Sequence, residues 1–549
     1  MIAILLAFAL ACPASVYTHG ADAPLPGNLT LRHTPRPWGK SFLPRSKAPA
    51  RKLEIVDLAQ LTPDERKAIF CLQALTSRTQ PSIWVINSTK DRCWLDWHIQ
   101  KRYVDGGEIV ADPLALFSKY AHCIKGAVIP DPDLYRGDTL AANVAACEDL
   151  IVATPELAQR LGLPIAVDLR HRFASYADGL QWVWATYKSR LSHHLCDIAP
   201  VLKGASVYSM QWRAVIFWPC GPLDATKPGA DMIAEKHIVA QILSELEPNT
   251  GMLGFPSAGK GVGLGETNGV GLSSRYGVSL VCSDNLLNTS VTSGVPLRQL
   301  KQSPPLQAPK LERDKIYIAL AISDGDNQNI WINFSRKYFE HPRFGEFPVA
   351  YGMGPAIMDL QPAVAQWYYE KGGPQTEFFS DVSGIGYMQP HNYGQGYKIP
   401  AAILDGFLDW TRLYLAAMDM KTVRTVGGED NMLAVYDKRI PGLHSLFADM
   451  GRYGSHAGIA NLTYSLPTGE PVFRAVTSWR YGKEGFLPEV REQVGDTRPA
   501  FVNGFLHCWT FNMDAITAIY DQRDADMVFV TPEQLSTLYR KAKARNWTK

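Results

Sequence analysis

Acidic residues follow several apolar, strand-like segments in the C-terminal half of the chain. The segment IYIALAIS leads directly into Asp324 and then Asp326, TEFFS leads into Asp381, and TVRTV leads through two glycines into Glu429. Two facing carboxyl groups can hydrolyse a glycosidic bond: one protonates the leaving oxygen, and the other attacks the anomeric carbon or activates water. We expect these four acids to form the catalytic set.

Other polar and aromatic residues lie next to the same segment ends or in the loops that follow them. Aromatic rings offer flat apolar faces on which the C–H face of a sugar can stack. A glycine-rich segment earlier in the chain (251–277) adds one carboxylate. We expect these residues to bind the substrate: Glu266, Tyr387, His391, Tyr393, Asp430, Asn431, His507 and Trp509.

Two other functions fit the same residues. Asp324 and Asp326 are hard oxygen ligands of the kind that a divalent cation prefers, as in a metal-dependent carbohydrate esterase or deacetylase. Such an enzyme would want a His-x-x-x-His pair, and no two histidines of the C-terminal region have that spacing. We therefore expect no metal and no other cofactor. A barrel that binds a glycan without cleaving it is the third hypothesis.

The elements that must position these residues are alternating strands and helices. About six to eight strand–helix units between residues 316 and 545 predict a (β/α) barrel-like, TIM-barrel-like domain, close to the ~250 residues typical of that fold. The active sites of such barrels lie at the carboxyl ends of the strands. The predicted acids would then converge on one rim.

The rest of the chain predicts an N-terminal α/β region (53–292) of one or several subdomains. Strands alternate there with helices that begin at capping signals, such as Thr62 with Pro63 and Glu65. A proline-rich, basic stretch (21–52) predicts an extended leader, and a second proline-rich stretch (293–315) predicts the linker to the barrel. The predicted fold class is therefore α/β, with α/β subdomains preceding the barrel.

The first residues indicate export. MIAILLAFALACPAS is a short apolar run ending in small residues, typical of a signal peptide over about 1–20, with cleavage after Ala11. Cys12 is a candidate for a lipid anchor. We expect no transmembrane segment, because no later stretch is apolar enough. The predicted location is outside the cell, in the periplasm or in the cell envelope.

Composition excludes some classes of protein. The formal net charge of this 549-residue chain is +2, and no basic tract predicts nucleic-acid binding. None of the nine cysteines forms a C-x-x-C pair, so we expect no structural zinc site. Disulfides in an exported protein and isolated thiols both fit the spacing.

The segment Gly384-Ile385-Gly386-Tyr387-Met388-Gln389-Pro390 resembles the motif of the GxGYxYP family, whose members are described as putative glycoside hydrolases. Gln389 stands where that motif has its second tyrosine. The resemblance covers most of the chain after the leader. It implies small α/β subdomains before a C-terminal barrel-like domain that bears the motif, and an exported protein that processes a poly- or oligosaccharide. No established catalytic pair accompanies the family.

Overall fold

A computed structural model describes residues 24–259, 261–324, 327–427, 430–448, 462–477 and 483–548. The predicted signal peptide and Cys12 lie outside these ranges. Within them, no helix is both long and apolar enough to cross a membrane. The eight cysteines of the described residues are free thiols, as the isolated-thiol interpretation predicts.

The N-terminal region contains three small parallel sheets with flanking helices. The first unit (52–109) has the strand order β2-β1-β3. Thr62 caps its first helix through the predicted capping box, with Pro63 in the first turn. Its elements are β1 (Lys52–Asp57), α1 (Pro63–Ser77), β2 (Ile83–Ile86), α2 (Thr89–Gln100) and β3 (Gly106–Ile109).

The second unit (115–187) has the strand order β5-β4-β6, and the third unit (195–292) has the order β10-β9-β7-β8. Elements of the second unit are α3 (Ala115–Lys119), β4 (Gly126–Ile129), α4 (Gly137–Glu148), β5 (Leu150–Val152), α5 (Pro155–Arg160), β6 (Ile165–Asp168) and α6 (Tyr176–Tyr187). Those of the third unit are β7 (Leu195–Ile198), α7 (Ala205–Gln211), β8 (Val215–Phe217), α8 (Met232–Glu245), β9 (Thr250–Gly254), α9 (Glu266–Arg275), β10 (Val278–Cys282) and α10 (Thr289–Thr292).

The C-terminal region is a closed barrel of seven parallel strands, which confirms the predicted fold class. The strands follow the order β11-β12-β13-β14-β15-β17-β18, and β18 pairs with β11 to close the ring. They are β11 (Ile316–Ser323), β12 (Val349–Met353), β13 (Thr376–Ser380), β14 (Thr422–Thr425), β15 (Ser445–Ala448), β17 (Pro471–Val476) and β18 (Ala500–His507).

Two further strands pair with the ring: β16 (Thr463–Ser465) runs antiparallel to β17, and β19 (Met527–Phe529) pairs with the first half of β11. The surrounding helices are α11 (Gln328–Asn333), α12 (Arg336–Phe339), α13 (Ile357–Leu360), α14 (Pro362–Lys371), α15 (Pro400–Met418), α16 (Asp430–Arg439), α17 (Phe486–Val494), α18 (Met513–Asp521) and α19 (Pro532–Ala544). A second capping box, built on Thr531, begins α19.

Along each strand, successive side chains alternate between the barrel interior and the side that faces the helices. On β11, Ile316, Ile318, Leu320 and Ile322 belong to the large core that includes the helices. The residues between them on β11 point the other way and belong to a separate cluster inside the ring. The strand members of this cluster are Tyr317, Ala319, Ala321, Ala350, Phe379, Phe447, Phe473 and Phe501. The interior is therefore filled by phenylalanines on one side and by small residues of β11 and β12 on the other.

The leader is a buried strap between the third unit and the barrel. The Arg36 guanidinium lies 4.8 Å from the ring centroid of Trp410 on α15 and 5.0 Å from that of Phe42. Its Nη2 donates a 2.6 Å hydrogen bond to the Asn249 carbonyl of the third unit. These contacts tie both parts of the molecule to one extended segment.

Leu43, at the centre of this strap, has no exposed surface. Its amide donates to Asp359 Oδ2 (2.9 Å), and the Tyr414 hydroxyl donates to the same oxygen (2.5 Å). The Leu43 side chain covers Gly251 on β9, where an added Cβ would lie 2.5 Å from Leu43 Cδ2. The strap thus packs against the third unit with one side and the barrel helices with the other.

We expect Leu43→Ala to lower the free energy of unfolding by about 2–5 kcal/mol, because it leaves a cavity in a tightly packed junction. Thermal melting and urea unfolding measure the change. Leu31→Ala is the matched control, since Leu31 belongs to the same leader but is 46% exposed. Equal effects of the two substitutions would contradict the buried strap.

Candidate functional site at the barrel rim

Two of the predicted site residues meet at the carboxyl ends of adjacent strands. The register of β11 and β18 pairs Ser323 with His507, so Asp324 follows directly beside the histidine. His507 Nε2 lies 3.0 Å from Asp324 Oδ1, and both side chains are partly exposed. This agrees with the expectation that the two strand ends share one rim.

Asn327 holds the other oxygen of Asp324. Its Nδ2 donates a 2.7 Å hydrogen bond to Asp324 Oδ2, and its Oδ1 accepts one from the Asn329 amide (3.0 Å) at the start of α11. One side chain thus caps the helix and orients the carboxylate. Contacts to both oxygens therefore fix the orientation of the Asp324 carboxyl group.

Asp381, after β13, lies deeper and has no exposed surface. Its Oδ1 accepts a hydrogen bond from the Val382 amide (2.9 Å), whereas Oδ2 has no hydrogen-bond partner among the described residues. Burial raises the pKa of Asp381 to about 7, and the negative charge of Asp324 adds to the increase, while Arg424 and the Val382 amide oppose it. The two acids are therefore close enough to sense each other's charge.

Arg424, on the inward side of β14, is fully buried beside Asp381. Its Nε lies 3.9 Å from Asp381 Oδ1, which is an ion-pair distance but too long for a hydrogen bond. The guanidinium carbon lies 4.4, 5.1 and 5.7 Å from the ring centroids of Phe505, Phe379 and Phe447. These rings give the buried cation a cage of π faces.

The absence of a side chain at Gly352 leaves room for the carboxyl group of Asp381. A Cβ built on Gly352, in β12, would lie 2.2 Å from Asp381 Oδ2. The small residue on this strand therefore leaves the space into which the carboxyl group of the next strand points.

Cys508 completes the described surroundings of the two acids. It is buried, and its amide donates to the Ser323 carbonyl (3.1 Å). Burial raises the pKa of its thiol, and the charges of Asp324 and Asp381 raise it further. The thiol thus stays protonated.

Several predicted residues cannot be placed or lie at the edge of this rim. Asp326 and Glu429 lie outside the described residues, as does the side chain of Asp430. Asn431 is exposed on α16, and its Oδ1 accepts a hydrogen bond from the Met432 amide (2.9 Å). Trp509 is 58% exposed, two residues after His507, and its ring packs against Phe334 with centroids 5.4 Å apart. The predicted roles of these residues remain predictions.

The glycine motif leaves the rim and docks on the third unit. Tyr387 and Leu280 of β10 exchange both backbone hydrogen bonds, at 2.7 and 2.9 Å, so the motif extends the edge of that sheet. The Tyr387 hydroxyl donates to Glu266 Oε1 of α9 (3.0 Å). Two of the predicted substrate contacts therefore contact each other at an interface between domains.

The residues that follow the motif continue this interface. The Gln389 amide group donates to the Thr267 carbonyl (3.0 Å), so the residue that differs from the family motif has a contact of its own on α9. The Tyr393 hydroxyl is buried within 2.9 Å of the Gly277 carbonyl and 3.0 Å of Asn249 Oδ1. His391 is exposed and borders a separate depression of about 370 Å³ beside α15 and α16.

Sequence reasoning missed Arg424, Asn327 and Cys508. A signal existed for Arg424: it stands at an alternate position of TVRT, where the other strands place apolar or small side chains inside the barrel. Asn327 follows the predicted acids but was not selected, since an amide at a helix start is also an ordinary cap. No sequence pattern around Cys508 marks it as a site residue.

Fold and site together define a multidomain α/β protein with a parallel barrel and a carboxyl-bearing rim. Models of three GxGYxYP domains match the chain: the second domain of the N-terminal part over 124–191, the third over 200–294, and the "GxGYxYP putative glycoside hydrolase C-terminal domain" over 314–540. Together they span well over half of the chain. The chain belongs to the GxGYxYP family.

Among solved structures, a putative hydrolase from Bacteroides thetaiotaomicron is similar over 92% of this chain and 98% of its own, with a TM-score of 0.77 and 20% identity. This likeness shows the shared fold. A putative polysaccharide deacetylase from Mycobacterium smegmatis aligns with 45% of this chain and 96% of its own, at 11% identity and a TM-score of 0.30, which is too low to bear on function. A comparison with curated proteins found no match.

We expect Tyr387→Phe to lower the free energy of unfolding by about 1 kcal/mol, because it removes the hydrogen bond to Glu266 at a partly buried interface. Urea unfolding measures the change. Tyr520→Phe is the control, since the Tyr520 ring stacks on Phe347 and its hydroxyl has no hydrogen bond among the described residues. An unchanged midpoint for Tyr387→Phe would mean that the contact does not hold the domains together.

Proposed function

We propose that the barrel rim hydrolyses glycosidic bonds in a poly- or oligosaccharide. The observation that supports this most is the asymmetry of two neighbouring carboxyl groups. Asp324 is partly exposed and held by two donors, whereas Asp381 is buried with its pKa raised to about 7. Acid–base hydrolysis of a glycoside requires two carboxyl groups in different environments, one of which retains its proton near neutral pH.

In this proposal Asp324 is the nucleophile or the base that activates water. Asn327 and His507 fix the direction of its two oxygens, so a lone pair can be aimed at the anomeric carbon or at a water molecule. Asp381 is the proton donor for the leaving oxygen, because its raised pKa keeps part of it protonated near neutral pH. Since Asp381 is covered in the substrate-free protein, substrate binding must open the rim above it.

Membership in a family described as putative glycoside hydrolases supports the same reaction class. The sugar and the linkage are part of the proposal. A second candidate, a metal-dependent carbohydrate esterase, is favoured by the Asp324–His507 pair, because a carboxylate and an imidazole 3.0 Å apart are both ligands for a divalent cation. Chelation separates the two: it would abolish ester hydrolysis and leave glycoside hydrolysis unchanged.

We expect Asp324→Asn and Asp381→Asn each to lower kcat by about 10²–10⁴-fold, because each removes one of the two groups that carry the reaction. Release of reducing ends from a panel of polysaccharides measures turnover. Asp496→Asn, on an exposed turn after α17, is the matched control. Full activity in either rim variant would refute the assigned pair.

The pH profile identifies the acid independently. Because Asp381 must be protonated to donate, kcat/KM should fall as the pH rises through about 7. The residual activity of Asp381→Asn should lack this basic limb, whereas Asp496→Asn should retain it. A basic limb that persists without Asp381 would assign the proton donor elsewhere.

We also propose that the protein is exported, on the basis of the apolar N-terminal run that ends at Ala11. Cleavage at this site would remove the run before the mature protein folds. N-terminal sequencing of protein recovered from the producing cells should begin at or soon after Cys12. Recovery of the intact chain in the cytosolic fraction would contradict export.

A further inference from the structure

A cleft of about 820 Å³ lies between the N-terminal units and the barrel, and it reaches the rim at Trp509. We call it the interdomain cleft. The first unit contributes the starts of α1 and α2, the third unit contributes residues 201–204 with Asn285 and Leu287, and the barrel contributes Phe334 and Trp509. Its size suits a ligand of several rings, since pockets for small molecules usually span about 300–1,000 Å³.

The cleft is connected to the catalytic pair by a run of polar contacts. Asn327, which holds Asp324, is also bonded to the Asn329 amide. The Asn329 side chain in turn accepts the Asn285 amide (3.0 Å) and donates to Asp284 Oδ1 (2.7 Å). These hydrogen bonds fix the third unit's side of the interdomain cleft, at Asn285, relative to Asp324.

The charge of the cleft wall is positive. Its basic residues are Arg66, Lys67, Lys90 and Lys203, and its acidic residues are Asp91 and Asp138. The two acids are already engaged: Asp138 pairs with Lys67 (3.2 Å), and Asp91 Oδ2 accepts the amides of Asn87 (3.0 Å) and Ser88 (2.9 Å). The Asp91 charge also acts on Lys90, but the wall as a whole has four basic side chains against two carboxylates.

Two of the lysines remain for a ligand. Arg66 Nε donates to the carbonyls of Leu58 and Leu61, and Lys67 pairs with Asp64 and Asp138, so Lys90 and Lys203 are the basic side chains of the wall best placed to meet a ligand. Both are exposed, and among the described residues neither forms an ion pair. The N-termini of α1 and α2 open on the same cleft and add positive potential.

We propose that the interdomain cleft binds an acidic glycan, one that carries carboxylate or sulfate groups. Lys90 and Lys203 pair with the negative groups, and the exposed face of Trp509, held by Phe334, stacks on a sugar ring between them and Asp324. This inference rests on the proposed function for the direction of the chain toward Asp324. It adds the substrate class and assigns the N-terminal units a part in recognition.

Binding can be measured without turnover. Isothermal titration of the full chain with a short oligogalacturonate and with its methyl ester compares the same rings with and without charge. A sulfated chondroitin oligosaccharide and its unsulfated form distinguish sulfate from carboxylate as the preferred group. We expect at least one charged probe to bind about tenfold or more tightly than its matched form with fewer charges, and this preference to weaken as the salt concentration rises.

The variant Lys90→Gln/Lys203→Gln should lose about tenfold in affinity for the charged probe and none for the methyl ester. Lys541→Gln/Lys543→Gln, exposed on α19, removes the same charge elsewhere and should bind as the wild type does. Trp509→Ala should weaken both forms of the probe to the same extent. All of these residues lie on the surface, so the variants are expected to fold.

Equal affinity for charged and uncharged forms, no binding of any acidic probe, or full affinity in Lys90→Gln/Lys203→Gln would overturn the inference. The hydrolase proposal fails in a different way. Tight, charge-dependent binding without any release of reducing ends would leave the acidic-glycan cleft standing and remove the reaction. Hydrolysis of neutral glycans without a preference for acidic probes would support the hydrolase proposal and overturn the acidic-glycan cleft.

Discussion

The polar end of the barrel depends on one buried charge, the guanidinium of Arg424. Removing a cation from water is costly unless other groups replace its hydration, and here three phenylalanine rings surround it, with the Asp381 carboxyl group 3.9 Å away. Small side chains on β11 and β12 leave the volume that this arrangement needs. Asp381 is therefore held where it is by the requirements of the barrel interior as well as by its own backbone.

The burial of Asp381 beside Arg424 gives the two acids different environments. Asp381 has no exposed surface, so burial outweighs the nearby cation and raises its pKa, whereas Asp324 is partly exposed, with contacts to both of its oxygens. The separation follows from depth: Asp324 comes directly after β11 at the rim, and Asp381 points inward across Gly352. A closed seven-stranded ring can thus place two carboxyl groups of the same residue type in environments of very different exposure.

Sequence patterns correctly predicted the features that depend on residues close together in the chain or on adjacent strands. Capping signals at Thr62 and Thr531 begin helices, and the carboxyl ends of parallel strands bring Asp324 beside His507. The docking of Tyr387 and Tyr393 on the third unit could not be read in the same way, because it depends on how distant domains pack. The leader was predicted as an extended segment, but its burial around Leu43 depends on surfaces contributed by β9, α13 and α15.

The family motif has a structural role, because it joins the barrel to the third unit. Gly384 has a φ of 139° and lies where a Cβ would be 2.5 Å from Thr411 Oγ1, so the chain can turn there from the rim toward the third unit. Tyr387 next joins the edge of β10, in the same unit whose Asn285 amide donates to Asn329, which is bonded in turn to Asn327 beside Asp324. A motif that clamps the third unit to the barrel also fixes one wall of the interdomain cleft relative to Asp324. Loss of that clamp would therefore loosen the third unit relative to the rim, where the motif's own described contact is the Gly384 amide, which donates to the Asp381 carbonyl (3.0 Å).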